Sequence, residues 1–339
     1  MKKRLAILLS MMFVGMLFLS GCGAKEEKRI VRIGHNQSST HPTHVALLAF
    51  QDYINEHLGD KYVVEVYPSE LLGSQTDMVQ LTQTGAIDYC VASNAILETF
   101  SKNYEIFNLP YLFASKEAYH GVMDDELITN NIFNSTEQAG FVAVTWLDAG
   151  TRNFYTVKKA INKPADLRGL KIRVQQSPTN IEMMKLLGGS ATPMGFGEVY
   201  TALQSNIIDG AENNELALTD NGHGDVCKYY SYDMHQMVPD ILIGNVAFME
   251  QLTEEERRIF EEGYKLLNEV QRTEWVKAVE NAKEKASNEQ KVQFVYPDQM
   301  PFVEACRPLH EKVLAGNEEL KPIYQKIQEY NKKYPSKEE

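Results

Sequence analysis

The sequence predicts an α/β protein with two lobes, and three observations support this fold class. Short apolar strands alternate with helical stretches in both halves of the 339-residue chain, in a plan that occurs twice. Two longer apolar stretches, Phe141–Asp148 and Ile241–Met249, each come after one copy of the plan, as strands that cross between lobes would. Helix-forming residues then run from Thr253 to about Asn288. Two α/β lobes of one pattern favour a cleft protein over a single barrel.

The two copies share one order of elements: strand, helix, strand, helix, strand. In the first copy Pro42 is well placed at the first turn of a helix, because its ring fixes a helical φ. The first copy comprises Arg29–Gly34, Pro42–His57, Val63–Tyr67, Gln75–Thr84 and Ala86–Ala92. The second comprises Leu170–Val174, Thr179–Leu187, Ser190–Thr192, Gly197–Gln204 and Ile207–Gly210. The amino-acid identities of the two copies match less well than the order of their elements, so an internal duplication is only suggested.

The long helix begins with a capping box, in which Thr253 is followed three residues later by Glu256. About 35 residues at ~1.5 Å each make a rod of roughly 50 Å, whereas a lobe of this size is only about 30–40 Å across. The helix must therefore bend or span both lobes. A strand at Val292–Tyr296 and helices over Pro301–Tyr334 follow. We assign residues 29–150 with 241–275 to lobe one, and residues 151–240 with 276–339 to lobe two and the C-terminal helices.

Residues 1–22 have the pattern of an export signal. Lys2, Lys3 and Arg4 precede the apolar run Leu5–Leu19, which is short for a membrane span, and Leu19-Ser20-Gly21-Cys22 resembles a bacterial lipobox. We expect cleavage before Cys22, a lipid on its thiol, and a charged tether over residues 23–28. An ordinary signal peptide or an uncleaved anchor are the alternatives. A lipid at this position would anchor the protein outside the cytoplasm without spanning the membrane.

The composition excludes several classes of function. The net charge is −12 and no basic stripe occurs, which argues against a nucleic-acid partner. The eight histidines and the remaining cysteines, Cys90, Cys227 and Cys306, show no metal-ligand spacing. No nucleophile elbow, P-loop or dinucleotide motif is present. Asp209 and Glu212 could be imagined as the acid pair of an exported glycosidase, but a strand-end turn and a lobe contact explain them more simply. We therefore expect neither enzymatic activity, nor a cofactor, nor a metal.

The stretch from Pro164 to Asn214 has the features of a carboxylate site. Arg173 lies on the strand Leu170–Val174, pointing away from Ile172 and Val174, and Asn213 follows the strand Ile207–Gly210. Both residues fall near strand ends, where open α/β sheets bind ligands. A guanidinium can donate two parallel hydrogen bonds to a carboxylate, so geometry and charge both suit an organic acid.

The same stretch carries a resemblance to a known family. The block GLKIRV…ATPMGFGEVYTALQSNIIDGAEN resembles the signature of substrate-binding proteins of tripartite ATP-independent periplasmic (TRAP) transporters. The motifs VEVYPSELLG, TGAID, NLPYLF, GTRN, KYYSYDMH and FVEACRPLH extend it over nearly the whole chain after the export signal. The resemblance implies a type II, periplasmic-binding-protein-like fold with crossing strands and a spine helix. It also implies hinge closure around an organic acid, and delivery to a pair of membrane subunits that use an ion gradient.

The resemblance assigns roles to several residues of this sequence. Arg173 would clamp the ligand carboxylate, Arg152 would be the second arginine, and Asn213 the amide that completes the site. Further candidates are Asn36, His41, Gln75, Ser93, Asn94, Trp146, Gln176 and Phe196. In sialic-acid receptors of the family an acidic residue tends to stand at the place of Ser93, so that ligand is in doubt.

The candidate residues favour a sugar acid as the ligand. No candidate from lobe one is a cation, which a C4-dicarboxylate would need for its second carboxylate, whereas neutral polar groups suit the hydroxyls of a hexuronate. A C4-dicarboxylate receptor, or a ligand-binding partner of a membrane sensor, would use the same pocket and remains an alternative.

Overall fold

A computed structural model of the protein describes residues 27–336. Cys22, the predicted signal 1–22 and most of the predicted tether lie outside the described residues. Within them, eleven strands form two sheets. The strands are β1 Arg29–Gly34, β2 Tyr62–Tyr67, β3 Tyr89–Ser93, β4 Phe141–Leu147, β5 Arg152–Thr156, β6 Lys171–Val174, β7 Ser190–Pro193, β8 Gly210–Asn213, β9 Tyr229–Gln236, β10 Asp240–Asn245 and β11 Gln293–Val295.

Helices cover the faces and ends of both sheets. The α-helices of the described residues are α1 Pro42–Leu58, α2 Gln75–Thr84, α3 Asn94–Leu97, α4 Lys116–Met123, α5 Glu126–Phe133, α6 Pro178–Leu186, α7 Val199–Gln204, α8 Leu216–Thr219, α9 His223–Val226, α10 Val246–Glu250, α11 Glu254–Asn288, α12 Met300–Gly316 and α13 Leu320–Lys333. Short 3₁₀ segments lie at Lys102–Asn108, Asn134–Ala139, Pro164–Leu167 and Phe196–Glu198.

The two sheets are the centres of two lobes. The first has the order β2-β1-β3-β10-β4, in which β1 pairs in parallel with β2 and β3 while β10 runs antiparallel to β3 and β4. The second has the order β11-β9-β5-β8-β6-β7. In it β5 is antiparallel to β8 and β9, and β6 is parallel to β7 and β8. The chain thus passes between the sheets at residues 148–151 and again at residues 237–239, close to the predicted crossings.

The long helix α11 spans both lobes. Phe260, Tyr264 and Leu267, from its first half, pack in the first-lobe core with Phe50 of α1. Farther along, Trp275 packs against Leu216, and Ala286 belongs to the second-lobe core. Thr253 and Glu256 form the predicted capping box at its start. The helix is therefore the shared spine that its length indicated.

The structure differs from the predicted elements in several places. The strand predicted over Ile241–Met249 ends at Asn245, whose side-chain oxygen accepts the backbone N–H of Phe248 at 2.8 Å and so starts α10. The strand predicted at Ile207–Gly210 begins only at Gly210, because Ile207 lies in an exposed turn. Strands β5 and β9 were not predicted.

The last helix lies against residues of the first lobe. Asn331 of α13 donates to the carbonyl of Leu112 at 2.9 Å and accepts from the backbone N–H of Ala114 at 2.9 Å. Tyr330 donates to Asp125 at 3.0 Å. The prediction grouped residues 276–339 as lobe two and the C-terminal helices, because an amphipathic helix does not reveal which neighbour covers its apolar side. The other lobe boundaries stay a prediction.

Candidate functional site

Arg173 is buried on β6 of the second sheet, between β8 and the edge strand β7. It is the third residue of β6, opposite Ala211 of β8, between Ile172 and Val174, whose side chains are fully buried. Its Nε and Nη2 donate to the carbonyl of Met194 at 3.2 and 2.9 Å, and its guanidinium carbon lies 5.6 Å from the centre of the Phe196 ring. Nη1 makes no hydrogen bond with another residue in the described part of the chain. One edge of the guanidinium is thus held by the protein, and the Nη1 edge has donors for a ligand.

The surroundings of Arg173 favour an anion. Burial lowers the pKa of Arg173; Glu212 opposes this effect, and the like charge of Arg152 adds to it. A buried cation needs a charged, hydrogen-bonded partner to offset its desolvation. A ligand carboxylate at the Nη1 edge would supply both the charge and the acceptors.

Arg152, the first residue of β5, is held almost entirely by protein groups. Its Nε donates to Oε2 of Glu212 at 2.5 Å, and its Nη2 donates to Oε1 and to the carbonyl of Glu212 at 3.0 and 2.9 Å. Its Nη1 donates to Oδ1 of Asn213 at 3.1 Å. Four of the five guanidinium N–H groups therefore have partners. Direct binding of a ligand by Arg152 stays a prediction, with one N–H on Nη1 left to make it.

The amide of Asn213 has a defined orientation. Its Oδ1 accepts from Nη1 of Arg152 at 3.1 Å and from the backbone N–H of Asn214 at 2.9 Å. Because both neighbours are donors, they identify the oxygen, and the other end of the amide is Nδ2. Nδ2 has no hydrogen-bond partner among the described residues. Asn213 therefore offers a donor, as a carboxylate ligand requires.

The aromatic wall is formed by Phe196 together with a histidine that the sequence did not single out. The Phe196 ring meets His223 edge to face, with centroids 5.6 Å apart. His223 hydrogen-bonds through Nδ1 with the hydroxyl of Tyr155 at 2.8 Å. Burial and the charge of Arg173 lower the pKa of His223 to about 3, so the ring is neutral. Arg173, Phe196 and His223 thus form one continuous surface.

In the first lobe, the predicted candidates Gln75, Ser93 and Asn94 lie where α2 and α3 meet the end of β3. Oε1 of Gln75 accepts the backbone N–H of Ser93 at 2.6 Å, and Oγ of Ser93 caps α3. Asn94 is fully buried and donates to the carbonyl of Tyr104 at 2.8 Å and to Oδ1 of Asn108 at 2.7 Å. The Asn94 amide is thus directed into the first lobe, while Gln75 and Ser93 lie at the end of the strand.

Asn36 lies in a buried loop that a histidine holds in place. Its side chain makes no hydrogen bond with another residue that the structure describes, and only 7% of it is exposed. Nδ1 of the preceding His35 accepts the backbone N–H of Gln37 at 3.2 Å, so the ring proton must be on Nε2, which lies 3.0 Å from Nδ1 of His44. His41 caps α1 and packs against Trp275 with centroids 5.7 Å apart.

The last two candidates differ in position. Trp146 donates from Nε1 to Asp124 at 3.1 Å and lies 4.3 Å beneath the guanidinium of Arg272, among first-lobe residues. The structure gives it no contact with Arg173. Gln176 is exposed, and its Oε1 accepts from Oγ1 of Thr76 on α2 at 3.4 Å. Gln176 therefore forms a contact between the lobes.

Two first-lobe acids that the sequence did not single out, Glu70 and Glu98, also reach the second lobe. Oε2 of Glu70 accepts the backbone N–H of Gly197 at 3.2 Å. Oε1 of Glu98 accepts from Oγ of Ser177 at 2.8 Å and from the backbone N–H of Thr179, in the first turn of α6, at 2.9 Å. The two lobes are thus in direct contact at these residues. Single acids in loops belong to no repeating pattern, so no sequence signal pointed to them.

Other classes of site find little support in the described residues. No group of three histidines, cysteines or acids is placed to hold a metal ion there, and no helix among residues 27–336 is long and apolar enough to cross a membrane. The two acids considered as a glycosidase pair have separate partners. Asp209 accepts the backbone N–H of Lys171 at 2.9 Å, and Glu212 pairs with Arg152.

Comparison with known proteins identifies the family. Residues 33–317 match the model of the bacterial extracellular solute-binding proteins of family 7, DctP. The chain belongs to this family. Its members are solute-binding receptors of TRAP transporters, so the protein is a receptor and not an enzyme. The expectation of a TRAP solute receptor is thereby confirmed.

Solved TRAP solute-binding proteins share the two-lobed fold. One from Anaerococcus prevotii, with bound α/β-D-glucuronate, is 69% identical; the match covers 91% of this chain and 100% of that one, with a TM-score of 0.90. One from Xanthobacter autotrophicus, with bound β-D-galacturonate, is 32% identical, with coverages of 88% and 98% and a TM-score of 0.84. The 2,3-diketo-L-gulonate-binding periplasmic protein YiaO of Escherichia coli is 27% identical over 243 residues, which are 70% of this chain and 74% of YiaO.

Proposed function

We propose that this TRAP receptor binds a hexuronate, with D-glucuronate and D-galacturonate as the leading candidates, and delivers it to the membrane subunits of its transporter. The 69%-identical relative holds D-glucuronate, and the 32%-identical relative holds β-D-galacturonate. The observation in this chain that carries the proposal is the buried guanidinium of Arg173, which has donors remaining at Nη1 and lies on β6, the strand paired with β8, where Asn213 also offers a donor.

The two lobes would recognise different parts of the ligand. Arg173 and Asn213 donate to the carboxylate, with Phe196 against the sugar ring. Asn36, Gln75 and Ser93 of the first lobe are neutral and suit hydroxyl groups. A ligand that touches both lobes stabilises the closed state by its higher affinity for that state. A C4-dicarboxylate would have its second carboxylate among these neutral groups, with no cation from the candidates there. A ligand-binding partner of a membrane sensor would use the same contacts.

A binding panel tests this function. D-glucuronate, D-galacturonate, succinate and L-malate are compared by thermal shift and by calorimetric titration. A ligand at a hundred times its Kd adds about 2.7 kcal/mol to the free energy of unfolding. We expect this stabilisation from a hexuronate and much less from the C4-dicarboxylates at equal concentration. A stronger response to succinate or malate would reject the hexuronate assignment.

We also propose that the chain is anchored through a lipid on Cys22. The support is the order of basic residues, apolar run and Leu-Ser-Gly-Cys in the sequence. Replacing Cys22 by Ser should leave the protein unprocessed or release it from the membrane fraction. Normal processing and membrane retention of that variant would contradict the anchor.

A further inference from the structure

A buried histidine behind the candidate site lies between two carboxylates. His235 is on β9, fully buried, and its ring stacks on Phe154 with centroids 4.5 Å apart. Its Nδ1 lies 2.8 Å from Oδ2 of Asp233, and its Nε2 lies 3.5 Å from Oε2 of Glu212. The second contact is at ion-pair distance without the geometry of a hydrogen bond. Each ring nitrogen therefore faces a carboxylate oxygen.

This geometry requires protons on both ring nitrogens. A neutral imidazole carries one N–H, so one nitrogen would direct its lone pair at a carboxylate. If Nδ1 donates to Asp233, a neutral Nε2 would face the negative charge of Glu212 where water is excluded. Burial alone would lower the pKa of His235, but Asp233 and Glu212 raise it to about 9. The ring is therefore an imidazolium at neutral pH.

The imidazolium is connected to the ligand-binding face. Oε2 of Glu212 lies near Nε2 of His235, and both carboxylate oxygens of Glu212 accept hydrogen bonds from Arg152. Arg152 in turn donates to Oδ1 of Asn213, which leaves Nδ2 as the donor that this amide can offer to a ligand. Burial raises the pKa of Glu212, but the positive charges of Arg152 and His235 lower it to about 2.

We propose that His235 is a positioning residue of the receptor, an imidazolium that fixes Glu212 and thereby sets Arg152 and the amide of Asn213 in the orientation that receives a ligand carboxylate. The ligand-binding part of this proposal rests on the proposed function, whereas the charge of the ring does not.

Two other titratable groups lie near His235, and neither changes its charge in the pH range where His235 titrates. The hydroxyl of Tyr111 donates to the carbonyl of Asp233 at 3.1 Å, and burial and Asp233 raise the pKa of this tyrosine. On α12, burial and Asp233 raise the pKa of the Cys306 thiol to about 12. Both groups are neutral around pH 9, so loss of charge near that pH is assigned to His235.

The first test measures the ring directly. Nitrogen-15 NMR of the histidine rings, assigned with His235→Gln, should show both nitrogens of His235 protonated at pH 7 and one proton lost near pH 9. A neutral ring at pH 7 overturns the proposal. This measurement needs no ligand, so it decides the charge of His235 even if the wild type binds no hexuronate, a result that would count against the proposed function alone.

The second test measures positioning. His235→Gln keeps a polar side chain but removes the charge, and calorimetric titration with D-glucuronate should show at least tenfold weaker binding. His57→Gln, on the exposed surface of α1, is the matched control and should bind like wild type. Binding by a folded His235→Gln within twofold of wild type overturns the proposal. If the variant does not fold, the wild-type Kd is followed from pH 7 to 10. It should rise with the same midpoint as the NMR titration, and a flat profile overturns positioning.

Discussion

Histidines lie behind both walls of the cleft, and the two groups have opposite pKa shifts. Burial lowers the pKa of His35 and His41 in the first lobe to about 3, whereas two carboxylates raise the pKa of His235 in the second lobe to about 9. All three rings are buried, so burial is not what distinguishes them. The difference lies in the partners: a backbone N–H and neutral rings in the first lobe, Asp233 and Glu212 in the second.

The two lobes therefore offer chemically different groups to a ligand. The second lobe gathers buried charges that compensate one another, and it presents Arg173 to the ligand. The first lobe presents amides and hydroxyls on a neutral background. A ligand with one carboxylate and several hydroxyls matches this arrangement, which is why we favour a hexuronate.

The first prediction tests the charge network of the second lobe. Glu212→Gln leaves Arg152 and His235 buried without a carboxylate between them. Breaking a buried ion pair from one side typically lowers the free energy of unfolding by about 3–5 kcal/mol. Urea unfolding at pH 7 would measure the loss. Glu274→Gln removes an exposed partner of Lys277 on α11 and should change stability by less than about 1 kcal/mol. Equal effects of the two substitutions would contradict a network that depends on burial.

The second prediction concerns the first lobe in acid. His35 and His41 have folded pKa values below that of the unfolded chain, so the unfolded state binds more protons as the pH falls below about 6.5. Their contribution to stability is complete above pH 6.5 and is lost between there and pH 3. Each histidine can lower the free energy of unfolding by up to about 1.4 kcal/mol per pH unit. His235 behaves in the opposite way: its contribution is complete below pH 6.5 and is lost as the pH rises through about 9.

A conservative substitution isolates this effect. The side chain of His41 accepts the backbone N–H of Thr43 as the cap of α1, and Asn can make the same cap without titrating. Urea unfolding at pH 7 and pH 5.5 should therefore show a smaller loss for His41→Asn than for wild type. An equal loss in the two proteins would show that His41 is not one of the groups responsible.

The third prediction concerns the carboxylate clamp. Arg173→Lys keeps the charge but loses the planar fork, so the two donors can no longer hold Met194 and a carboxylate together. Loss of a hydrogen bond to a charged group should weaken binding by about 1.5–3 kcal/mol, which is roughly ten- to a hundred-fold in Kd. Calorimetric titration with the best hexuronate measures the change, with the exposed Arg258→Lys on α11 as control. A Kd within twofold of wild type would remove Arg173 from the site.

The same contrast explains what the sequence could predict. The helices of the two repeated units and most strands were predicted because their apolar residues recur with a clear period, and α11 was predicted from its cap and its length, whereas shorter helices such as α4 and α5 were not predicted. Strands β5 and β9 were missed because they carry Arg152, Asn153, Asp233 and His235, whose buried polar side chains break the apolar alternation. The polar residues of the charge network are therefore also the reason that β5 and β9 were not predicted from the sequence.

The residues of the candidate site also fall into those that the sequence predicted and those that it did not. Arg173 and Asn213 were predicted because a motif surrounds them. In the structure Arg173 lies beside Phe196, and Asn213 accepts a hydrogen bond from Arg152. Glu70, Glu98 and His223 did not stand out, since their roles depend on partners far away in the chain. Trp146 was predicted as a wall residue; its indole N–H donates to Asp124 and its ring lies beneath Arg272, and its contact with a ligand stays a prediction.

The last prediction concerns Gln176, where the smallest effect is expected. Its contact with Thr76 joins the lobes, but the hydrogen bond is 3.4 Å long and the residue is exposed, so water can replace the partner. We therefore expect Gln176→Ala to change the Kd for a hexuronate by less than about twofold, as for most surface substitutions. Ser177→Ala is the informative comparison, because its hydroxyl donates to Glu98 at a fully buried contact between the lobes. If Gln176→Ala instead weakens binding tenfold while the closed shape, measured by small-angle scattering with ligand, stays unchanged, Gln176 contacts the ligand itself. The first-lobe and second-lobe sides of the site would then be less different than the charges indicate.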